Sequence, residues 1–254
     1  MDTKSSPFIA AAAVIGIAFI LGTVVVSQTI YKVKALSNVI SVTGSAERIV
    51  TSDTVKWTSS ISRSAGTGDL KTASAKLSAD LATVKKSFTD AGIQESEISI
   101  DAVIVTPLCA SQNNVTYDRY GNQSCGAITG YGLSQKIIVE SANVSAIQTL
   151  AQELPDRFIA GGLIFSSQSL EYYYNKLADL RVELLSEATD NAEKRAAEIA
   201  KSTGASLSKL QSASMGVFQV AAKNSTEISD YGVYDTSSLE KKVTAVVRVS
   251  FSLQ

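Results

Sequence analysis

A long apolar run near the N-terminus constrains this chain more than any other feature of its sequence. No charged residue occurs between Lys4 and Lys32, and "FIAAAAVIGIAFILGTVVV" (Phe8 to Val26) is almost wholly apolar. As a helix, this run is about 28 Å long, which is close to the hydrocarbon thickness of a bilayer. We therefore predict that residues 1–34 form an N-terminal membrane anchor with one transmembrane helix.

A cleaved signal peptide is the alternative interpretation of this run. Its apolar region is typically about 7–15 residues long and ends at a small-x-small cleavage site. Here the run is longer, and the "SQTIYKVKALS" that follows offers no such site. The pattern favours an uncleaved signal anchor. Lysines on both sides of the run leave its orientation open, because the positive-inside rule then gives no preference.

Composition excludes several classes of function. The chain has 23 Lys+Arg against 24 Asp+Glu, so no overall field attracts nucleic acid. It has no histidine, which removes the usual general base and the commonest metal ligand. We expect no nucleic-acid partner, no metal and no cofactor.

Hydrophobic periodicity predicts strands that alternate with helices after the anchor. "NVISVTGSAERIV" and "DTVKWTSSISRSA" alternate with a period of two and, with only Thr51 and Ser52 between them, predict a hairpin. Apolar residues spaced three and four apart predict one helix that ends near Gly92 and a longer one that ends near Gly204. A shorter helix begins near Val144 and is expected to stop at Pro155.

The strands are apolar on one side and rich in Ser, Thr, Lys and Arg on the other. This pattern predicts an α+β fold, in which helices cover one face of an antiparallel or mixed sheet. Residues 53–140 and 161–253 share the order strand, helix, strand, polar loop, strand. We interpret residues 38–254 as one pseudo-duplicated domain, with the short helix as a connector.

Four segments carry a family resemblance: "ISVTGSAERIVTSDTVKWTSSIS", "GIQESEISIDAVIVTPL", "GYGLSQKIIVE" and "EATDNAEKRAAEIAKSTGASLSKL". Together they resemble the SIMPL-domain family (DUF541). The positions that carry the resemblance are Gly44, Asp53, Gly130, Tyr131, Ala188, Ala192, Lys194, Ala196, Ala200 and Gly204. Ser208 stands where the family usually has glycine, and Thr51 and Ser52 replace the customary proline. Family members include an oxidative-stress-linked periplasmic protein and an immunogenic outer-membrane-associated protein. The resemblance implies an envelope domain that forms ring-like or channel-like oligomers and has no agreed catalytic residues.

The only two cysteines, Cys109 and Cys125, lie at the ends of one polar stretch. A zinc site needs about four ligands, and a redox pair is usually spaced C-x-x-C. A disulfide that closes a loop is favoured over both, and such bonds persist outside the reducing cytosol. We therefore predict a single-pass membrane protein whose C-terminal domain is extracytoplasmic, either periplasmic or extracellular.

Sequons and tyrosines are the candidate surface features. Asn-x-Ser/Thr occurs at Asn114, Asn122, Asn143 and Asn224. Chance occurrence in a Ser/Thr-rich chain is slightly favoured over glycosylation, which is the alternative. The candidate interaction surface consists of Tyr117, Tyr120, Tyr172, Tyr174, Tyr231 and Tyr234. For "EYYYN" (Glu171 to Asn175), packing of a strand end is preferred, and contact with a subunit or glycan is the alternative.

Catalytic motifs are weak in this sequence. It has no histidine base, no G-x-S-x-G elbow and no phosphate-binding glycine loop, and no pair of carboxylates stands out. We predict a non-enzymatic envelope scaffold that self-assembles, with an expected link to envelope or oxidative stress. The alternative is a surface module that binds a glycan or an envelope protein through two Tyr/Asn-rich loops.

Overall fold

The computed structural model describes residues 6–35, 38–110, 115–117, 119–121 and 123–254. Side chains are described throughout this set except at residues 6–10, 31–35, 115, 117 and 123–125. Four α-helices occur in these residues: α1 (Ser6–Ala35), α2 (Leu70–Asp90), α3 (Val144–Ala160) and α4 (Leu177–Ser202). The strands are β1 (Val39–Thr51), β2 (Thr54–Gly66), β3 (Ile98–Ile100), β4 (Ile104–Cys109), β5 (Val115–Tyr117), β6 (Gln123–Cys125), β7 (Ile128–Ser141), β8 (Ile164–Ser167), β9 (Glu171–Tyr173), β10 (Leu207–Met215), β11 (Gln219–Ala222) and β12 (Glu240–Leu253).

The chain divides into two compact units that interleave along the sequence. Unit 1 contains Met1–Glu47, Arg181–Phe218 and Thr244–Gln254, and unit 2 contains Arg48–Leu180 and Gln219–Val243. The predicted α+β class with antiparallel sheets is confirmed. The internal repeat is not confirmed.

Unit 2 is built on a six-stranded sheet centred on β2 and β7, which pair over their full length from Val55–Ser141 to Gly66–Gly130. β3 and β4 pair with the other edge of β7, and β8 and β9 pair with the other edge of β2. We call residues 109–125 the cysteine loop, and β5 and β6 form a separate two-stranded sheet within it. All of these ladders are antiparallel.

The core of unit 2 lies between this sheet and two helices. Val55, Trp57 and Ile61 alternate along β2 and are fully buried, as the period of two predicts. They pack against apolar stripes on α2 and α3 in one buried cluster, which includes Leu77, Val84, Phe88, Ile147, Leu150, Leu154 and Phe158. Trp57 contacts Phe88 and Phe165 through tilted and edge-on rings, an arrangement that aromatic pairs favour.

One ion pair lies inside the apolar stripe of α2. Asp80 is buried at a position between Leu77 and Val84, where the spacing of the stripe calls for an apolar residue. Arg63 of β2 donates two hydrogen bonds to its carboxylate, with Nε at 2.5 Å and Nη2 at 2.8 Å. These hydrogen bonds raise the pKa of Arg63. The two-point contact fixes the position of α2 on the sheet.

Unit 1 combines a sheet of order β1–β12–β10 with the greater part of α4. β11, which belongs to unit 2, also pairs with β12. Residues at every fourth position on α4 are fully buried: Leu184, Ala188, Ala192, Ala196 and Ala200. Val247, Val249 and Phe251 of β12 are buried as well. The alanines allow the helix to lie close to the backbone of β1, and Gly44 has no side chain to prevent this approach.

The predicted hairpin between β1 and β2 is wrong, because the two strands belong to different sheets. The connection uses its backbone groups elsewhere: Ser52 N donates to Leu239 O at 2.9 Å, and Asp53 N donates to Tyr173 O at 3.0 Å. Thr51 and Ser52 are also poor residues for a two-residue turn. The sequence alternation located both strands correctly but assigned the wrong partners.

Three other boundaries differ from expectation. α3 continues through Pro155 to Ala160, and its apolar stripe continues to the buried Phe158. This packing explains why α3 belongs to the core and is not merely a connector. The alternating patterns of "GGLIFSSQSLEYYY" (161–174) and "ASLSKLQSASMGVFQV" (205–220) each predict one strand, but each segment is divided between two strands. Gly92 and Gly204 have φ of +87° and +74°, as expected of glycines that follow a helix.

Candidate functional site

The candidate site in unit 2 is the 223–239 loop between β11 and β12, which many side-chain hydrogen bonds hold in place. The Nζ of Lys241 donates to Asp235 O at 2.5 Å and to Ser238 O at 2.9 Å, and it lies 3.5 Å from Asp235 Oδ2. Lys241 is fully buried, on the face of β12 that also buries Val243. A buried ammonium group is stable only when its donors are satisfied, so this lysine holds the loop against the strand.

The Asp235 carboxylate, like Lys241, holds this loop in place. Burial raises its pKa, but hydrogen bonds from Ser237 and Ser238 and the charge of Lys241 outweigh that effect and hold the pKa well below its usual range. Burial lowers the pKa of Lys241, an effect that Asp235 partly offsets. The carboxylate is therefore ionised at neutral pH and serves to close the loop.

Gln219 holds the other side of the 223–239 loop. Its Nε2 donates to Ser229 O at 2.7 Å, and its Oε1 accepts from Val233 N at 2.9 Å. Val220 forms a bridge with Tyr234, and Lys242 Nζ donates to Ser225 O at 2.9 Å. These bonds order the loop before any partner binds.

The tip of this ordered loop exposes apolar surface. Ile228 is 82% exposed and Tyr231 is 97% exposed. Large side chains held out by a rigid loop are typical of binding surfaces, because little conformational entropy remains to be lost on association. The arrangement suits recognition of a partner.

The six tyrosines predicted as an interaction surface differ in exposure, and their role in binding stays a prediction. Tyr172 is buried, which corrects its assignment to a surface: it is paired with Val55 on the core face, and its hydroxyl accepts from Gln148 Nε2 at 3.0 Å. Tyr120, Tyr231 and Tyr234 are exposed and Tyr174 is half-buried, whereas the side chain of Tyr117 lies outside the described residues.

A charged row crosses the opposite face of the six-stranded sheet. Lys56 is paired directly with Glu140 on one side and with Glu171 on the other. Tyr173 donates a hydrogen bond to Glu171, which raises the pKa of Tyr173 to about 12 and lowers the pKa of Glu171. The tyrosine therefore stays protonated and the glutamate ionised, so this pair is unsuited to acid–base exchange near neutral pH.

The cysteine loop leaves the sheet from an arm with unusual exposure. We define the β4 arm as residues 103–108 and 128–130. Five of its apolar side chains are between 39% and 60% exposed: Val103, Ile104, Val105, Leu108 and Ile128. Successive side chains of a strand point to opposite faces. Exposure of both Ile104 and Val105 therefore means that neither face of the arm is covered.

Cys109 is the last residue of β4. β5 and β6 place the backbone of Cys125 opposite Val115, but the Cys125 side chain lies outside the described residues. The Cys109–Cys125 pairing remains a prediction.

Two of the four sequons have described positions. Asn143 is exposed and caps α3, with its Oδ1 accepting from Ala146 N at 3.2 Å, and Asn224 is exposed at the start of the 223–239 loop. Asn114 and Asn122 lie outside the described residues. Glycosylation of any of them stays a prediction.

The sequence matches the model of the SIMPL family, described as a protein of unknown function (DUF541), over residues 40–251. The chain belongs to the SIMPL family. A comparison with curated proteins finds no match. In this SIMPL protein, packing explains the residue type at two of the positions that carry the resemblance. Gly44 and Ala192 are in close contact where α4 packs on β1, which leaves room only for small residues.

The SIMPL domain follows a helix that fits a membrane anchor or a signal sequence. Within the described residues, Ala11–Ile30 of α1 is one stretch long and apolar enough to span a membrane, with a mean hydropathy of 2.1 and no burial against the rest of the protein. Across the same described residues, no cluster of three His, Cys, Asp or Glu side chains is placed to hold a metal ion.

Sequence reasoning missed Lys241 and Asp80 in this SIMPL domain, although a signal for both was present. Lys241 keeps step with Val243, Ala245 and Val247 along β12, all on the buried face. Asp80 likewise falls on the apolar stripe of α2. A charged residue in step with a buried face indicates a satisfied internal partner.

Proposed function

We propose that this protein is a non-enzymatic, extracytoplasmic SIMPL domain, held at a membrane by α1, that self-assembles into an envelope scaffold. The single observation that carries the proposal is the β4 arm, where apolar side chains are exposed on both faces of a strand. Contiguous apolar surface of this kind typically marks an interface. The protein's own copies are the proposed partner.

Anchoring supports self-association because it confines copies to one surface and raises their effective concentration. Pro107 lies within β4 and has no backbone N–H to donate. Its position disfavours pairing of β4 with the edge strand of another copy. The proposed contact is therefore made by the faces of the arm. The resemblance to oligomeric family members points the same way, and a link to envelope or oxidative stress is part of the same proposal.

Mass photometry of the full chain in detergent or nanodiscs tests this proposal. Wild-type protein should be oligomeric, and Ile104→Lys should shift it towards monomer because a charge then replaces apolar contact. Ile159→Lys is the matched control, since Ile159 is equally exposed but lies on α3. A monomeric wild type, or an Ile104→Lys variant that assembles normally, would contradict the proposal.

A second candidate function is recognition of a glycan or envelope protein by the 223–239 loop. The specific observation in its favour is the exposure of Ile228 and Tyr231 on a loop that Lys241 and Gln219 hold in place. Binding of the full chain in nanodiscs to isolated envelopes should fall at least tenfold in Tyr231→Ala, on the order expected for an aromatic hot spot. Prior treatment of the envelopes with protease or glycosidase separates the two ligand classes. Unchanged binding by Tyr231→Ala would exclude this candidate.

A further inference from the structure

The connection between α1 and the folded part of unit 1 is very short. α1 ends at Ala35 and β1 begins at Val39, so four Cα–Cα steps separate them, about 14 Å when fully extended. The candidate span ends at Ile30, about 7.5 Å of helix before Ala35. The start of β1 therefore lies within about 21 Å of the end of the apolar span.

Backbone hydrogen bonds show which residues share this end of unit 1. Leu253 N donates to Asn38 O at 2.9 Å, which places the end of β12 beside the start of β1. Ser206 and Gln254 exchange two hydrogen bonds, of 2.8 and 2.9 Å, which adds the start of β10. We call this group, residues 38–41, 199–210 and 250–254, the proximal end.

The last turn of α4 also belongs to the proximal end. Gly44 packs on Ala192, and Arg195 Nη1 donates to Thr43 O at 3.1 Å, so α4 runs antiparallel to β1. Six residues of helix from Arg195 to Lys201 rise about 9 Å, and four residues of strand from Thr43 back to Val39 cover about 13 Å. Lys201 therefore lies near the start of β1, as measured along the strand direction.

The proximal end combines cationic and apolar side chains. Lys201 and Lys209 are exposed, and within the described residues neither forms a salt bridge. Ile199 and Leu210, their neighbours, are also exposed. Lys32 and Lys34 follow the apolar span in the sequence. Among the described residues of this region, Lys201 and Lys209 are opposed by one nearby acidic side chain, the exposed Glu198, so the local charge is positive.

We propose that the proximal end docks onto anionic lipid headgroups, with Lys201 and Lys209 bound to phosphates and Ile199 and Leu210 entering the interface. The short tether brings this end to the bilayer, and lysines beside exposed apolar side chains are the composition that interfacial binding requires. The inference rests on the anchoring in the proposed function. Docking would hold unit 1 upright on the membrane instead of leaving it free to swing.

Amide hydrogen–deuterium exchange of the full chain in vesicles tests the docking. Exchange across residues 199–210 should be slower in phosphatidylcholine with phosphatidylglycerol than in phosphatidylcholine alone. The double variant Lys201→Gln/Lys209→Gln should abolish this difference, because each lysine near an anionic surface strengthens binding about fivefold. High salt should weaken the difference, because it screens the charges. Lys71→Gln/Lys76→Gln, two exposed lysines on α2, should leave it intact.

Two outcomes would overturn the docking, and they differ in what they say about the anchor. Equal exchange in both lipids, in protein that resists alkaline extraction from the vesicles, would refute docking and leave the anchor standing. Protein that is released by alkaline extraction would refute the anchor, and the docking with it.

Discussion

Gly44 of β1 lies directly against Ala192 of α4. A Cβ added to Gly44 would be 2.5 Å from Ala192 N and 2.7 Å from Ala192 Cβ, closer than real Cβ contacts come. The alanine stripe of α4 therefore packs onto bare backbone, and the spacing between helix and strand depends on the absence of one methyl group.

Replacement of Gly44 by alanine should lower the free energy of unfolding by about 3 kcal/mol, because the helix must move away from the strand. Thermal or urea unfolding followed by circular dichroism measures the change. Gly68→Ala is the control, since a Cβ there meets nothing within 4 Å. Equal stabilities of the two variants would show that α4 is not packed on β1 as described.

Removal of the Asp80 carboxylate should leave Arg63 without its partner at the boundary of the core. Asp80→Asn is expected to cost about 3 kcal/mol of unfolding free energy, the lower end of the range for a broken buried pair. Asp90→Asn breaks the exposed Lys86–Asp90 pair on the same helix and should cost less than about 1 kcal/mol. Similar losses in both variants would contradict the role assigned to Asp80.

The 223–239 loop should be acid-sensitive. The folded-state pKa of Asp235 is lower than its unfolded value, so its contribution to stability is present above about pH 4 and is lost as the pH falls below that. Thermal unfolding as a function of pH should therefore show a smaller acid loss in Asp235→Asn than in wild type. Asp230→Asn, at an exposed position of the same loop, should retain the wild-type profile.

The cysteine loop should depend on its disulfide. If Cys109 and Cys125 pair, reduction should remove about 3 kcal/mol of stabilisation, which is the value that the chain-entropy model gives for a loop of about 15 residues. Wild-type protein should unfold at a lower temperature with reductant, and Cys109→Ala/Cys125→Ala should match reduced wild type with no further response to reductant. A wild type that is indifferent to reductant would argue against the pairing.

Local patterns in the sequence were sufficient to place most elements, because burial of Val55, Trp57 and Ile61, or of the α4 alanines, imposes its own periodicity. Strand partners were not predictable in this way. The backbone of Ser52 bonds to Leu239, which is distant in sequence, and no local pattern specifies such a contact. Tyr172 shows the same limit, since its burial follows from its pairing with Val55.

The site was predictable only in composition. The tyrosines of the 223–239 loop stood out in the sequence, but its order depends on Lys241 and Gln219, whose partners are known only once the loop is folded. Pro155 misled for a related reason: tertiary packing of Phe158 and Leu154 outweighs the hydrogen bond that proline removes from α3.

Anchoring by α1 should place the SIMPL domain on the oxidising side of a membrane. The most direct test is labelling of intact cells that make the full chain with a membrane-impermeant maleimide, with and without an impermeant reductant. We expect no labelling before reduction and labelling of both Cys109 and Cys125 after it. Free labelling without reductant, or labelling only after lysis, would contradict it.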